Sequence, residues 1–173
     1  MSSNGIYALR MYILGVPTTV TIDDIMPLNE NGKSIFAGVG PDKALWGMLV
    51  EKAFAKLHGD YEAIVAGDPR HSIGVLSGAP SDRYDHTDKT ALELWNIIKE
   101  AEDNGNMVSA STPGSSNSEK SALGIVNNHV YTILSVVEVE GNKLLRIRNP
   151  WGRESYTGDW NDHDSLNWNA RLR

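Results

Sequence analysis

Two β-rich runs joined by one tight-turn signal constrain this chain more than any other feature in it. His129 to Glu140 and Lys143 to Asn149 flank Gly141-Asn142, a pair suited to the short loop of a β-hairpin. A hairpin folds back on itself, so His129 near its open end approaches Asn149 near the end of the return strand. Pro150 restricts Asn149 to extended backbone angles and so helps to fix the direction of its side chain. One difficulty follows from counting. Pairing symmetrically about Gly141-Asn142 sets Glu154 opposite His129 and Leu134 opposite Asn149. That is an offset of five residues, or about 16 Å at ~3.3 Å per residue. A bulge, a different turn register or strong twist is needed to bring the two side chains together.

Upstream, residues 6 to 25 read as extended. Val16, Val20 and Ile22 share one parity, and Pro17 marks a strand start or edge. Asn29-Glu30-Asn31-Gly32 reads as a turn. A helix is expected after Pro41-Asp42 with Asp42 as cap, its apolar face formed by Leu45, Met48, Leu49, Ala53, Phe54 and Leu57, and its end at Gly59. A second helix is expected over about 88–104, with Leu92, Trp95, Ile98 and Ala101 in its stripe. If it starts slightly later, Thr90 and Glu93 form a capping box. Residues 107–111 read as a strand and 113–118 as a polar loop. Helices segregated from a strand-rich remainder give an α+β fold of antiparallel sheets flanked by helices.

Charge and cysteine content narrow the function classes. Sixteen Lys and Arg against 22 Asp and Glu leave a formal charge of −6 with no basic block, which argues against nucleic-acid binding. There is no cysteine. Disulfides, Cys-ligated zinc, iron–sulfur clusters and a thiol nucleophile within this chain are thereby excluded. The absence suits a reducing compartment, no glycosylation sequon occurs, and the apolar run from Ile6 to Val16 is broken by Arg10 and too short to span a bilayer. A cytoplasmic protein with no transmembrane segment is expected.

A histidine oriented by an asparagine is the base half of a thiol-protease site. The imidazole takes the thiol proton and later protonates the leaving amine, while the amide oxygen holds the ring. Neutral Asn suffices because the thiolate–imidazolium pair is already ionic. Trp151 is placed to shield the His129–Asn149 bond from water.

The sequence resembles the calpain family of cysteine proteases, specifically the second half of its protease core. The resemblance is carried by Arg146-x-Arg148-Asn149-Pro150-Trp151-Gly152, Tyr156-Thr157-Gly158-x-Trp160 with Asn161-Asp162, and Asn128-His129-x-Tyr131. It is carried also by Thr21-Ile22-Asp23-Asp24-x-x-Pro27 and by the run from Leu49 through Glu51-Lys52-Ala53 to Tyr61-Glu62-Ala63. It implies that residues 1–173 are the C-terminal, His/Asn-bearing lobe of a papain-like fold, with a Cys-bearing first lobe of the parent chain as partner and proteins as substrates. His129 is then the general acid/base, Asn149 its orienter and Trp151 the residue packed beside them. The family's cores also bind calcium. Position by position, one acidic ligand falls on Asp162 and another on Ser155, a departure with Glu154 one residue away, while further ligands fall beyond Arg173. The implied parent is a calcium-dependent intracellular cysteine endopeptidase, and the isolated chain is inactive. The alternative is a catalytically dead calpain-like domain used for binding or regulation. Trp160 and Trp168 read as core aromatics, His86 among Asp82, Asp85 and Asp88 as part of a solvated loop, and His58, His71 and His163 carry no chemistry at this stage.

Overall fold

The computed structural model describes residues 4–40, 42–153, 155–169 and 172. The chain divides into two compact units, 1–83 and 84–173.

In the first unit β1 (Ile6–Ile13) and β2 (Val16–Asp23) form an antiparallel hairpin. Its loop is Leu14-Gly15, both at positive φ, as a two-residue loop of the twist-matched kind requires. Pro17 sits opposite Tyr12 in this two-stranded sheet, where either strand is an edge and a missing N–H is tolerated. Val20 and Ile22 are buried as their shared parity requires, whereas Val16 is exposed beside the turn. Helix α1 (Trp46–His58) packs on β2 and α2 (Pro69–Ser77) on β1. Met11, Val20, Ile22, Ala53 and Val75 form the core, with Leu49, Phe54 and Leu57 packed against it.

Helix α1 begins later than expected. Pro41 lies outside the described residues. Asp42 accepts from Ala44 N at 3.0 Å within a tight loop, and Lys43 at φ +61° is not helical, so Leu45 occupies the cap position with no side-chain bond. Helix α2 was not expected from the sequence, although its ends are marked. Asp68 caps it by accepting from Arg70 N at 2.9 Å, Pro69 fills its first turn, and Gly78 closes it at φ +72°.

The second unit holds α3 (Ala91–Asp103) and a sheet of order β3-β4-β5, from Val108–Ser111, Val130–Val139 and Asn142–Arg148. Helix α3 has the Thr90/Glu93 capping box. It buries Trp95, while Leu92, expected in the same stripe, is exposed. The β4–β5 loop is Glu140-Gly141, with φ of +50° and +81°, one residue earlier than Gly141-Asn142. Glycine takes such angles at no steric cost, and here it fills the second loop position behind Glu140, so Asn142 pairs with Val139 instead.

That one-residue move shifts each cross-strand partner by two. A bulge then shifts the register by one more: Ser135 faces Arg146 and Ile133 faces Ile147, leaving Leu134 as the extra residue. Together these remove three of the five residues separating His129 from Asn149. The remaining offset of two is a diagonal cross-strand relation, within reach of long side chains.

Helix α3 secures the bulged segment. β3 begins at Val108, opposite Ile133, so the sheet offers no third strand to the next part of β4. There the N–H of buried Val136 donates to Glu102 Oε2 at 2.9 Å. Glu102→Ala would strand that N–H and should cost about 1–3 kcal/mol, whereas Glu102→Gln keeps a carbonyl oxygen and should cost less. Urea unfolding together with amide exchange at Val136 measures both. Equal stability of the alanine and glutamine variants would contradict the clamp.

Candidate active site

His129 enters the site directly after Asn128, which takes φ +45°, a left-handed conformation that Asn adopts more readily than most residues. The backbone of His129 is gripped by Thr112 on the neighbouring chain segment. His129 N donates to Thr112 Oγ1 at 3.0 Å, and Thr112 N donates to His129 O at 2.9 Å. Behind it, Val126 N donates to the Tyr131 hydroxyl at 2.9 Å, with Val126 and Tyr131 both buried. The Tyr131 ring meets the imidazole edge-on, with centroids 5.1 Å apart.

Directly after β5, Asn149-Pro150-Trp151-Gly152 is a β-turn closed by Gly152 N donating to Asn149 O at 3.0 Å. Asn at the first position, Pro at the second and Gly at the fourth are the residues such a turn favours. The Asn149 side chain joins the turn, its Oδ1 accepting from Trp151 N at 3.0 Å. The same oxygen bonds His129 Nε2 at 2.9 Å.

This shared oxygen fixes the histidine tautomer. A backbone N–H can only donate, so the Asn149 atom facing Trp151 must be oxygen. His129 Nε2 must then carry a proton to bond it. In the neutral ring Nδ1 is therefore the nitrogen with the free lone pair. Trp151 lies against the imidazole, with centroids 4.4 Å apart and planes tilted by 43°. Its side is open to solvent, with 48% of the residue exposed, so it covers one face of the ring without sealing the bond from water.

The structure thus brings His129, Asn149 and Trp151 together. Sequence reading assigned no role to Thr112 or to the Tyr131 hydroxyl. Nor did it assign Asn149-Pro150-Trp151-Gly152 to a turn, although Asn, Pro and Gly at these positions mark one; the turn supplies the hydrogen bond that aims the amide.

The acidic residues are elsewhere. Asp162 is exposed in the C-terminal loops and Glu154 lies outside the described residues. Among the described residues no three His, Cys, Asp or Glu side chains gather to hold a metal. The loop carrying Asp162 is organised instead by Asp164. Its carboxylate accepts from Asn167 Nδ2 at 2.6 Å, from Trp160 N at 2.8 Å, and from the Asn167 and Leu166 amides at 3.1 Å each. Trp160 and Trp168 pack edge-to-face at 4.9 Å above it.

The Asn167 amide, followed by these backbone N–H groups, holds the Asp164 carboxyl down at about 2, from an ordinary 3.8. The unfolded chain takes up this proton near 3.8 and the folded loop resists until about 2. The stabilisation is therefore complete above the unfolded value and is lost as pH falls through the folded one. Near-UV circular dichroism from the Trp160–Trp168 pair should fade between about pH 4 and pH 2. In Asp164→Asn, which cannot ionise, that pH-dependent part should vanish. A tryptophan signal equally pH-dependent in the variant would contradict the assignment.

The family model for calpain family cysteine proteases matches residues 1–171. A calpain-type cysteine protease of Zea mays, DEK1, is 36% identical over 179 residues, covering 99% of this chain and 8% of that protein. Human calpain-8 is 35% identical over 172 residues (95% of this chain and 24% of the relative). The human calpain-2 catalytic subunit is 32% identical over 173 residues, again 24% of its length. The chain therefore spans a quarter or less of these relatives. It belongs to the calpain family of cysteine proteases.

Proposed function

We propose that this chain is the His/Asn-bearing second lobe of a papain-like protease core, supplying the base and its orienter to a cysteine on a preceding lobe of the parent chain. The observation that carries the reading is the 2.9 Å bond from His129 Nε2 to an Asn149 oxygen already held by Trp151 N. With the Nε2 proton committed to Asn149, Nδ1 is the nitrogen that takes the thiol proton. The resulting thiolate attacks the peptide carbonyl carbon. The Nδ1 proton then passes to the departing amine, and the same nitrogen draws a proton from the water that releases the acyl group. Asn149 holds the ring in one orientation through all three transfers. Trp151 and Tyr131 limit its rotation by packing.

The parent is read as a calcium-dependent intracellular endopeptidase acting on proteins, and no step of the chemistry here runs through calcium. Calcium takes about six to eight oxygen ligands, and among the described residues no group of three or more His, Cys, Asp or Glu side chains gathers around Asp162. No described helix is long and apolar enough to cross a membrane.

The test is peptide hydrolysis by the full-length parent, with and without calcium and with and without a thiol-alkylating reagent. The 173-residue chain alone should be inactive. The parent should need calcium and be silenced by alkylation. A folded parent inactive at every calcium concentration would instead support a calpain-like domain used for binding or regulation.

A further inference from the structure

His58 and His71, thirteen residues apart, lie in the last turn of α1 and the first turn of α2. Their Nε2 atoms face each other at 2.8 Å, with ring planes at 89°. His58 Nδ1 contacts the Phe54 carbonyl oxygen at 2.7 Å. A carbonyl only accepts, so Nδ1 carries the proton and Nε2 of the neutral ring presents its lone pair outward. A histidine whose second nitrogen is anchored on a backbone carbonyl is the usual arrangement for a metal ligand. The Phe54 ring packs against His58 at 4.2 Å and lies 6.2 Å from His71, which restricts both imidazoles.

The distance brings both ring nitrogens within reach of a single ion. Metal–imidazole bonds of ~2.0–2.1 Å set two tetrahedral ligand nitrogens ~3.3 Å apart and two at right angles ~2.9 Å apart. The observed 2.8 Å is that of the hydrogen bond now joining the rings, and either spacing is reached from it by a ring movement of about 0.5 Å or less. The choice of ion rests on ligand type: imidazole nitrogens completed by water bind copper(II) most tightly among the divalent first-row ions, and copper(II) and nickel(II) both accept tetragonal N and O coordination. We propose that His58 and His71 form a two-imidazole site for one such tetragonal divalent ion, with water completing its shell. The ion would replace the bridging hydrogen bond and tie the end of α1 to the start of α2. No third His, Cys, Asp or Glu among the described residues joins them, so the site is a surface chelate whose strength comes from holding two imidazoles at once.

The probe is copper(II) chloride added below one equivalent to the 173-residue chain, with all five histidine ring signals followed by NMR. Paramagnetic broadening should strike His58 and His71 together, before His86, His129 and His163. His71→Ala removes an exposed side chain and leaves the α1 core untouched. It should lower affinity on the order of a hundredfold by breaking the chelate, and His58→Gln should do the same. Nickel(II) should raise the Tm of the wild-type chain and not of His71→Ala. Even broadening of all five histidines, or unchanged copper affinity in a folded His71→Ala chain, would overturn the site.

Discussion

In the full-length parent, His129→Ala should lower kcat/KM by on the order of 10⁴- to 10⁶-fold, because it removes the group that accepts and returns the proton. Asn149→Ala should cost less, on the order of 10²- to 10⁴-fold, since the base remains but loses its fixed orientation. The double variant should be no slower than His129→Ala alone, because an orienter has nothing left to orient. Asn149→Asp retains an oxygen for both His129 Nε2 and Trp151 N and should keep more activity than Asn149→Ala. Steady-state kinetics on the four variants, each with its unfolding curve, separates chemistry from folding. Asn149→Ala also loses the side-chain bond to Trp151 N within its own turn, worth about 1 kcal/mol, whereas His129→Ala leaves that bond intact. Activity within tenfold of wild type in His129→Ala would remove this histidine from the reaction.

Gly124→Ala should be the most damaging small substitution for stability, at on the order of 4–5 kcal/mol. Gly124 has φ +81°, and a methyl built on it would overlap the carbonyl oxygen of Ser155. The contact is backbone against backbone and cannot be relieved by a rotamer change. Ser155 Oγ donates to Gly124 O at 2.8 Å, and Thr157 N donates to Leu123 O at 2.9 Å, so segment 155–157 is docked on the loop leading to His129. Gly141 is the matched control. It has the same φ of +81° with nothing within 4 Å of the added methyl, so Gly141→Ala should pay only the dihedral cost of about 1–2 kcal/mol. Urea unfolding of the two variants isolates the steric part. Equal destabilisation would mean that segment 155–157 does not press on Gly124.

Local signals in the sequence reached some elements and stopped short of others. Helix α3, expected from about Asp88, begins at Ala91, where the conditional Thr90/Glu93 box caps it, a contact across three residues. Helix α2 carries equally local marks in Asp68-Pro69 and Gly78, but its apolar pattern is thin: among its residues only Val75 is buried. The expected start of α1 failed because Asp42 bonds its own loop, a competition that such side chains always offer to helix capping. The β4–β5 turn was misplaced by one residue because glycine serves either loop position, and the choice rests on how the whole ladder pairs.

The sequence by itself determined that the chain has no thiol nucleophile and that a hairpin carries His129 and Asn149 at the open ends of its two strands. These follow from residue identity and from angles that a few neighbours impose. Whether the two side chains meet was decided only by tertiary structure. It depended on a bulge at Leu134, on an α3 carboxylate holding Val136 thirty-four residues away, and on Thr112 gripping the His129 backbone. The His58–His71 pairing was likewise invisible until two helices converged. Each of these contacts joins residues well separated along the chain, and their formation is set by packing, which no local window of sequence contains.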